Sequence, residues 1–320
     1  MVMNLNLSWA WGNETLRPDG RAWFCIYAFT GVIGIFANVL VLVVFLRNLP
    51  GHRNITAKLI IHQSIIDLMS SVVFLPFYII PEGWLIQNED AGEVFCKART
   101  IFWVLATSST TNLVFITIER YYAIVYPIKH YVHFKNGKFY QALPIIYIYG
   151  FLGMGHLVFV ADINENYYCY YNWEETSENL QFIIGIISFC FTWLIPTSII
   201  IYVYATIIFT LRNMHRGFPD GGGTVGSRRR YLAQKNLINT FIAVSVAYAV
   251  CWTPDMFLYL TFNVTSSSYP DMDGIAHRIT VFLSVCNMVV NPFIYAFKYR
   301  DFKTGLSKMF SDIKVTSRGN

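Results

Sequence analysis

"NPFIYAFKYRDF", Asn291–Phe302, sets an amide and a proline inside an apolar stretch and then switches, within a turn or two, to Lys, Arg and Asp. A proline inside a helix deletes a backbone donor and frees a carbonyl, so the stretch reads as the kinked end of an apolar helix running out into a basic segment. Upstream of it, Ala276–Phe297 is apolar for about the 20 residues that a bilayer crossing needs. Six further runs have the same character: Trp23–Leu46, Ala57–Ile80, Cys96–Ile118, Tyr140–Val160, Leu180–Leu211 and Leu237–Phe262. With 55% hydrophobic and 13% charged residues in 320, little remains for a water-soluble domain. Downstream, Phe297, Phe302, Leu306 and Phe310 recur at helical spacing opposite basic residues, which predicts an amphipathic helix lying on a membrane surface. The expected fold is an all-α membrane protein. It has a polar segment over 1–22, a seven-transmembrane bundle over 23–299, and a short amphipathic eighth helix with a tail over 300–320.

Charge placement tests the spans independently, because cytoplasmic loops collect Lys and Arg. With the N-terminus outside, every one of the 24 basic residues except Arg17, Arg21, Lys97, Arg99 and Arg278 falls on the inside, and an odd number of spans puts the basic C-terminus there too. The acids Glu82, Glu89, Asp90, Glu93, Glu165, Glu174, Glu175, Glu178, Asp271 and Asp273 fall outside. The first 22 residues are polar and carry no apolar run before a small-residue cleavage site, so the first span is expected to be the insertion signal.

Sequons begin at Asn6, Asn13 and Asn263 on expected outside segments, which makes these asparagines glycosylation candidates, whereas the sequon at Asn54 is inside and should stay bare. Of the six cysteines, only Cys96 and Cys169 lie at or beyond the outer edge of a span, in the oxidising compartment, and they are the natural disulfide pair. Pro219–Arg230, "PDGGGTVGSRRR", reads as a flexible inside loop ending in a basic cluster.

Polar groups at bilayer depth are costly and mark function or helix-to-helix contacts. Asp67 in "HQSIIDLMSS" is the clearest, with Asn38, Ser109, Asn112, Asn287 and Asn291 beside it in kind. Pro196, Pro254 and Pro292 each kink a span and free a carbonyl that needs a partner, and Asn291 is a nearby side chain able to supply one.

Taken in order, Asn38, Asp67, Cys96, Glu119-Arg120-Tyr121, Cys169, Pro196, Tyr204, Cys251-Trp252-Thr253-Pro254 and Asn291-Pro292-Phe293-Ile294-Tyr295 resemble the rhodopsin-like G-protein-coupled receptors over essentially the whole chain. The resemblance implies that Arg120 meets a heterotrimeric G protein, with Glu119 restraining it at rest. It implies that Trp252 is a toggle at the floor of the ligand pocket, that Tyr204 supports the active state, and that Asn291, Pro292 and Tyr295 form the switch of the seventh helix. Arrestin is a further implied partner on that side. Asp67, Ser109, Asn287 and Asn291 match a buried sodium site, whose carboxyl, hydroxyl and amide oxygens suit a hard cation, although Met288 stands where a second hydroxyl is common. The sequence also departs from the family pattern. No Trp occurs in the fourth span, Cys96 is one residue closer to Arg120 than usual, Tyr248 stands where Phe is common, and Gln234 stands where an acid on the sixth helix often pairs with the arginine.

The ligand is narrowed by what is missing. Val285 occupies the place of the retinal lysine of an opsin, and Phe102 that of the aspartate of an amine receptor. The acidic outside loops would draw in a cationic ligand, and a peptide is the preferred reading. Asp255, three residues beyond Trp252, falls on nearly the same helix face and is expected to meet a basic group of the ligand, with Tyr259, Phe102, Trp103 and His277 as the wall. Arg99 or Arg278 is the alternative partner of Asp255. A small non-amine or lipid ligand and a transporter or proton channel are the competing functions. No metal-ligand spacing or nucleophile with a base supports an enzyme, and no nucleic-acid partner is expected.

Overall fold

The structure, a computed structural model, describes residues 18–48, 55–79, 89–134, 138–163, 169–173, 178–216, 225–265 and 275–318. Its helices are α1 (Pro18–Asn48), α2 (Ile55–Ile79), α3 (Glu89–Arg99), α4 (Ile101–Val125), α5 (Pro127–Phe134), α6 (Lys138–Met154), α7 (Leu157–Val160), α8 (Glu178–Phe189), α9 (Ile195–Arg216), α10 (Val225–Thr265), α11 (Ile275–Lys298) and α12 (Arg300–Arg318). Strands β1 (Ala161–Ile163) and β2 (Cys169–Tyr171) pair antiparallel. Among the described residues, seven stretches are long and apolar enough to cross a membrane, matching the seven expected. The third, Asp90–Val125, is 78% buried over its most apolar window against 33% for the first, fourth and fifth, so it is the central post of the bundle. Phe36, Phe159 and Phe209 stand exposed on the perimeter, an arrangement that suits lipid rather than water.

Two local irregularities answer the departures seen in the sequence. The third span is not one helix: Thr100 is a turn between α3 and α4, where the Thr100 amide bonds Lys97 O at 3.2 Å and the Trp103 amide bonds Thr100 O at 3.0 Å. These are three-residue steps, which advance the chain through more rotation per residue than an α-turn. A short spacing from Cys96 to Arg120 is thereby accommodated with Cys96 still turned toward Cys169, their Cα atoms 5.4 Å apart in a disulfide.

The fifth span is likewise broken, by a π-turn over Cys190–Leu194 next to Pro196. The Ile195 amide reaches back to Cys190 O, which leaves Phe191 O without its ordinary partner. Tyr149 of α6 donates to that carbonyl at 2.5 Å and stacks on Phe191 with ring centroids 3.9 Å apart. A fourth span without Trp therefore packs through tyrosines instead. Tyr147 does the same toward α2, its hydroxyl 3.1 Å from His62 Nε2.

The carbonyl freed by Pro292 is that of Met288, and its donor is Asn38 of α1 at 2.9 Å rather than the expected Asn291. Pro76 and Pro144 also lie inside helices, α2 and α6 respectively. The eighth helix forms as α12, with Phe302 buried and stacked on Phe45, which also stacks on Tyr299, while Phe297 and Phe310 remain exposed. Burial also holds the Tyr299 phenol, in the link between α11 and α12, well above the usual tyrosine range.

Candidate functional site

At the end of the bundle that carries the hairpin, a cleft of about 640 Å³ including its open mouth lies between the third, sixth and seventh spans. The Cys96–Cys169 disulfide forms part of its rim and ties β2 to α3. Tyr171 comes down from β2 into the cleft, and burial holds its phenol far above the usual range, so it stays neutral at physiological pH. Trp103, Asp255, Tyr259 and His277 line the cleft as expected, and Arg99, Tyr78 and Met256 join them.

Two residues expected at the pocket, Phe102 in its wall and Trp252 at its floor, are elsewhere. Phe102 is fully buried between Phe74, Tyr78 and Trp103, because the turn at Thr100 rotates it into the α2 interface. Trp252 lies behind Trp103, with ring centroids 6.2 Å apart, and does not line the cleft. Its indole N–H is buried with no hydrogen-bond partner, so the ring is held by packing alone.

Asp255 is 6% exposed, with the Thr280 hydroxyl beside its carboxylate. None of the ion pairs among the described residues involves it, so the structure pairs it with neither Arg99 nor Arg278. The Arg99 guanidinium instead sits 4.2 Å from the centroid of the Tyr78 ring. Asn263, a glycosylation candidate, is buried within α10 and donates to Tyr259 O at 2.8 Å, so no sugar can be attached there as folded. Asn6 and Asn13 lie outside the described residues, as do most of the acids counted on the outside loops.

In the middle of the bundle, Asp67 accepts from Ser109 at 2.7 Å and from Asn291 at 3.0 Å, bringing α2, α4 and α11 together as expected. Asn287 lines the adjoining space but makes no hydrogen bond to the carboxylate, and Gln63, absent from the expected set, does. Sequence spacing held the signal for Gln63, since it precedes Asp67 by four residues and so shares its face. A hard cation needs oxygen lone pairs aimed at it, whereas here N–H and O–H donors are aimed at the carboxylate. The residues as arranged do not fit a sodium ion.

At the opposite end, Glu119 is wholly buried and accepts from Arg120 Nε at 2.6 Å and His130 Nε2 at 2.8 Å. Arg120 Nη2 donates to both Glu119 and Thr56 of α2. No described partner of Arg120 lies on α10, in keeping with Gln234 in place of an acid. The arginine is therefore clamped by α2 and its own helix, with α5 bracing the carboxylate, and the sequence pointed to neither Thr56 nor His130. Tyr121 is half-buried with its ring edge-on to Tyr122 and Tyr126. The Tyr204 hydroxyl lies 3.4 Å from Thr117 Oγ1 of α4, and Tyr295 is fully buried with its hydroxyl unbonded.

The chain is similar to known receptors over most of its length. The chain is 26% identical to the allatostatin-A receptor of Bombyx mori, covering 88% of this chain and 78% of the relative. It is 24% identical to the cholecystokinin receptor of Xenopus laevis, over 89% and 76% of the two chains. With the C-X-C chemokine receptor type 4-A of Xenopus laevis it shares 29% identity over 92% and 79%. Residues 37–295 match the profile of the seven-transmembrane receptors of the rhodopsin family, and the chain belongs to that family of G-protein-coupled receptors, which are signalling proteins rather than enzymes.

Proposed function

We propose that this receptor recognises a peptide, or another ligand presenting a basic group, at the hairpin end, and passes the signal to a heterotrimeric G protein at the Arg120 end. The N-terminus and hairpin lie outside the cell and α12 inside, an orientation supported by the inward bias of Lys and Arg. The observation that carries the ligand reading is Asp255, a buried carboxylate on the wall of an open cleft and outside every ion pair among the described residues. A charge buried in that way needs a cation, water or a proton, and a ligand ammonium or guanidinium supplies the first. The relatives named for allatostatin, cholecystokinin and chemokine ligands support a peptide.

The test is a library of basic peptides applied to cells expressing the chain, followed by potency measurements on Asp255→Asn for each agonist found. Loss of a buried charged contact costs about 2 to 5 kcal/mol, so potency falls by at least about tenfold at matched surface expression. Unchanged potency removes the counter-ion role. A loss recovered by neutralising Arg99 or Arg278 assigns Asp255 to a structural pair.

A further inference from the structure

The orientation of the Gln63 amide is fixed by a chain of hydrogen bonds that begins at a group able only to accept. The Leu59 carbonyl lies 3.2 Å from one end of the Asn112 amide, which must therefore be the nitrogen. That nitrogen also lies 2.8 Å from one end of the Gln63 amide, which must then be the oxygen. The Gln63 nitrogen is thereby turned to Asp67, 3.0 and 3.2 Å from its two oxygens, and it donates to Ser109 as well. The Asn112 oxygen faces His62 Nδ1 at 3.0 Å, so that nitrogen carries the proton and Nε2 accepts from Tyr147. Each member of the row from Tyr147 to Asp67 thus sets the polarity of the next.

The consequence falls on the space beside Asp67. Its carboxylate takes N–H groups from Gln63 and Asn291 and the O–H of Ser109. One of the two lone pairs of the Ser109 hydroxyl is taken by the Gln63 amide. The adjoining space is lined by Gln63, Ser109, Asn287 and Asn291 together with Leu113, Val244 and Tyr248, and not by Asp67 itself. For an ion to enter, Gln63 must swing out and leave both its own amide and that of Asn112 short of a partner at zero to a few per cent exposure, the situation in which a lost hydrogen bond costs most.

We infer that Gln63 is a tethered amide surrogate for an exchangeable cation at Asp67: it fills the ion's place with donors and makes the packing of α2, α4 and α11 independent of sodium. The inference concerns the centre of the bundle and is independent of which ligand the cleft takes.

The test uses the purified full-length chain in lipid nanodiscs, with thermal unfolding followed in sodium chloride and in choline chloride at the same ionic strength, roughly 150 mM. The native chain should unfold at the same temperature in both salts, within about 1 °C. Gln63→Leu, which removes the amide and opens the carboxylate, should unfold earlier in choline and recover by about 3 °C or more in sodium, as a site that binds only the folded state must. A native chain stabilised by sodium over choline to that extent, with the effect lost in Asp67→Asn, overturns the inference whether or not the Gln63 variant can be purified. A Gln63→Leu chain that folds and ignores sodium also overturns it, since something other than Gln63 would then exclude the ion.

Discussion

Asn38→Ala isolates a single carbonyl. Asn38 Nδ2 serves two acceptors, Gly34 O and Met288 O, each at 2.9 Å. Gly34 O is an ordinary carbonyl one turn back in α1 and keeps its helical amide donor. Met288 O is different, because residue 292 is proline and offers no N–H. Removing the asparagine amide therefore orphans one buried acceptor, and Asn38 is itself fully buried, so solvent does not replace the bond. Unsatisfied buried groups cost about 1 to 3 kcal/mol, and inter-helix bonds in membranes run from about 0.6 to 1.7, which together place the loss near 1 to 2 kcal/mol.

The partner variant, Pro292→Ala, restores an N–H that can bond Met288 O within α11. In that background Asn38→Ala should cost well under half as much, giving a coupling energy of about 1 kcal/mol in a double-mutant cycle. The assay is thermal or detergent-induced unfolding of the four purified proteins, read as differences between variants. Additive effects, with the Asn38→Ala loss unchanged when residue 292 is alanine, would refute the assignment of Met288 O as the group that matters.

Further outcomes follow from the same contacts. Thr56→Val keeps the shape but takes an acceptor from Arg120; a hydrogen bond to a charged group is worth about 1.5 to 3 kcal/mol, so basal G-protein nucleotide exchange should rise by roughly tenfold, and unchanged basal exchange at matched expression counts against a clamp on α2. Cys96→Ser opens a loop set by a separation of 73 residues, which the chain-entropy relation values at about 4 kcal/mol; surface expression or thermal stability should fall sharply, and a variant as stable as the native chain would show the disulfide to be dispensable.

The seven spans were legible because bilayer thickness imposes one strong pattern, a long apolar run, and charge asymmetry repeats it independently. The eighth helix was legible from the periodicity of Phe302 and Leu306. What the sequence concealed were features that depend on the identity of a neighbour across the bundle. The turn at Thr100 carries no Gly or Pro to announce it, yet it decides that Trp103 and not Phe102 faces the cleft. The donor for the Met288 carbonyl comes from a residue 250 positions away, so nearness in sequence favoured Asn291 wrongly. Asn263 fits a sequon, but α10 extends far enough to bury it. Hydrogen bonds gather Ser109 and Asn291 on Asp67, and Gln63, one helical turn before Asp67, joins them through a rotamer that the sequence does not display.

We propose that a ligand at one end of this bundle acts through Arg120 at the other. It is tested most directly by measuring nucleotide exchange on a heterotrimeric G protein in membranes from cells expressing the chain, with a peptide agonist from the library applied to the outside, for the native receptor and for Arg120→Ala at equal surface level. The peptide should raise exchange in the native receptor, and Arg120→Ala should bind the peptide with affinity within about threefold of native while exchange stays at background, since the cleft is built from the hairpin end alone. Full stimulated exchange by the Arg120→Ala receptor would contradict it.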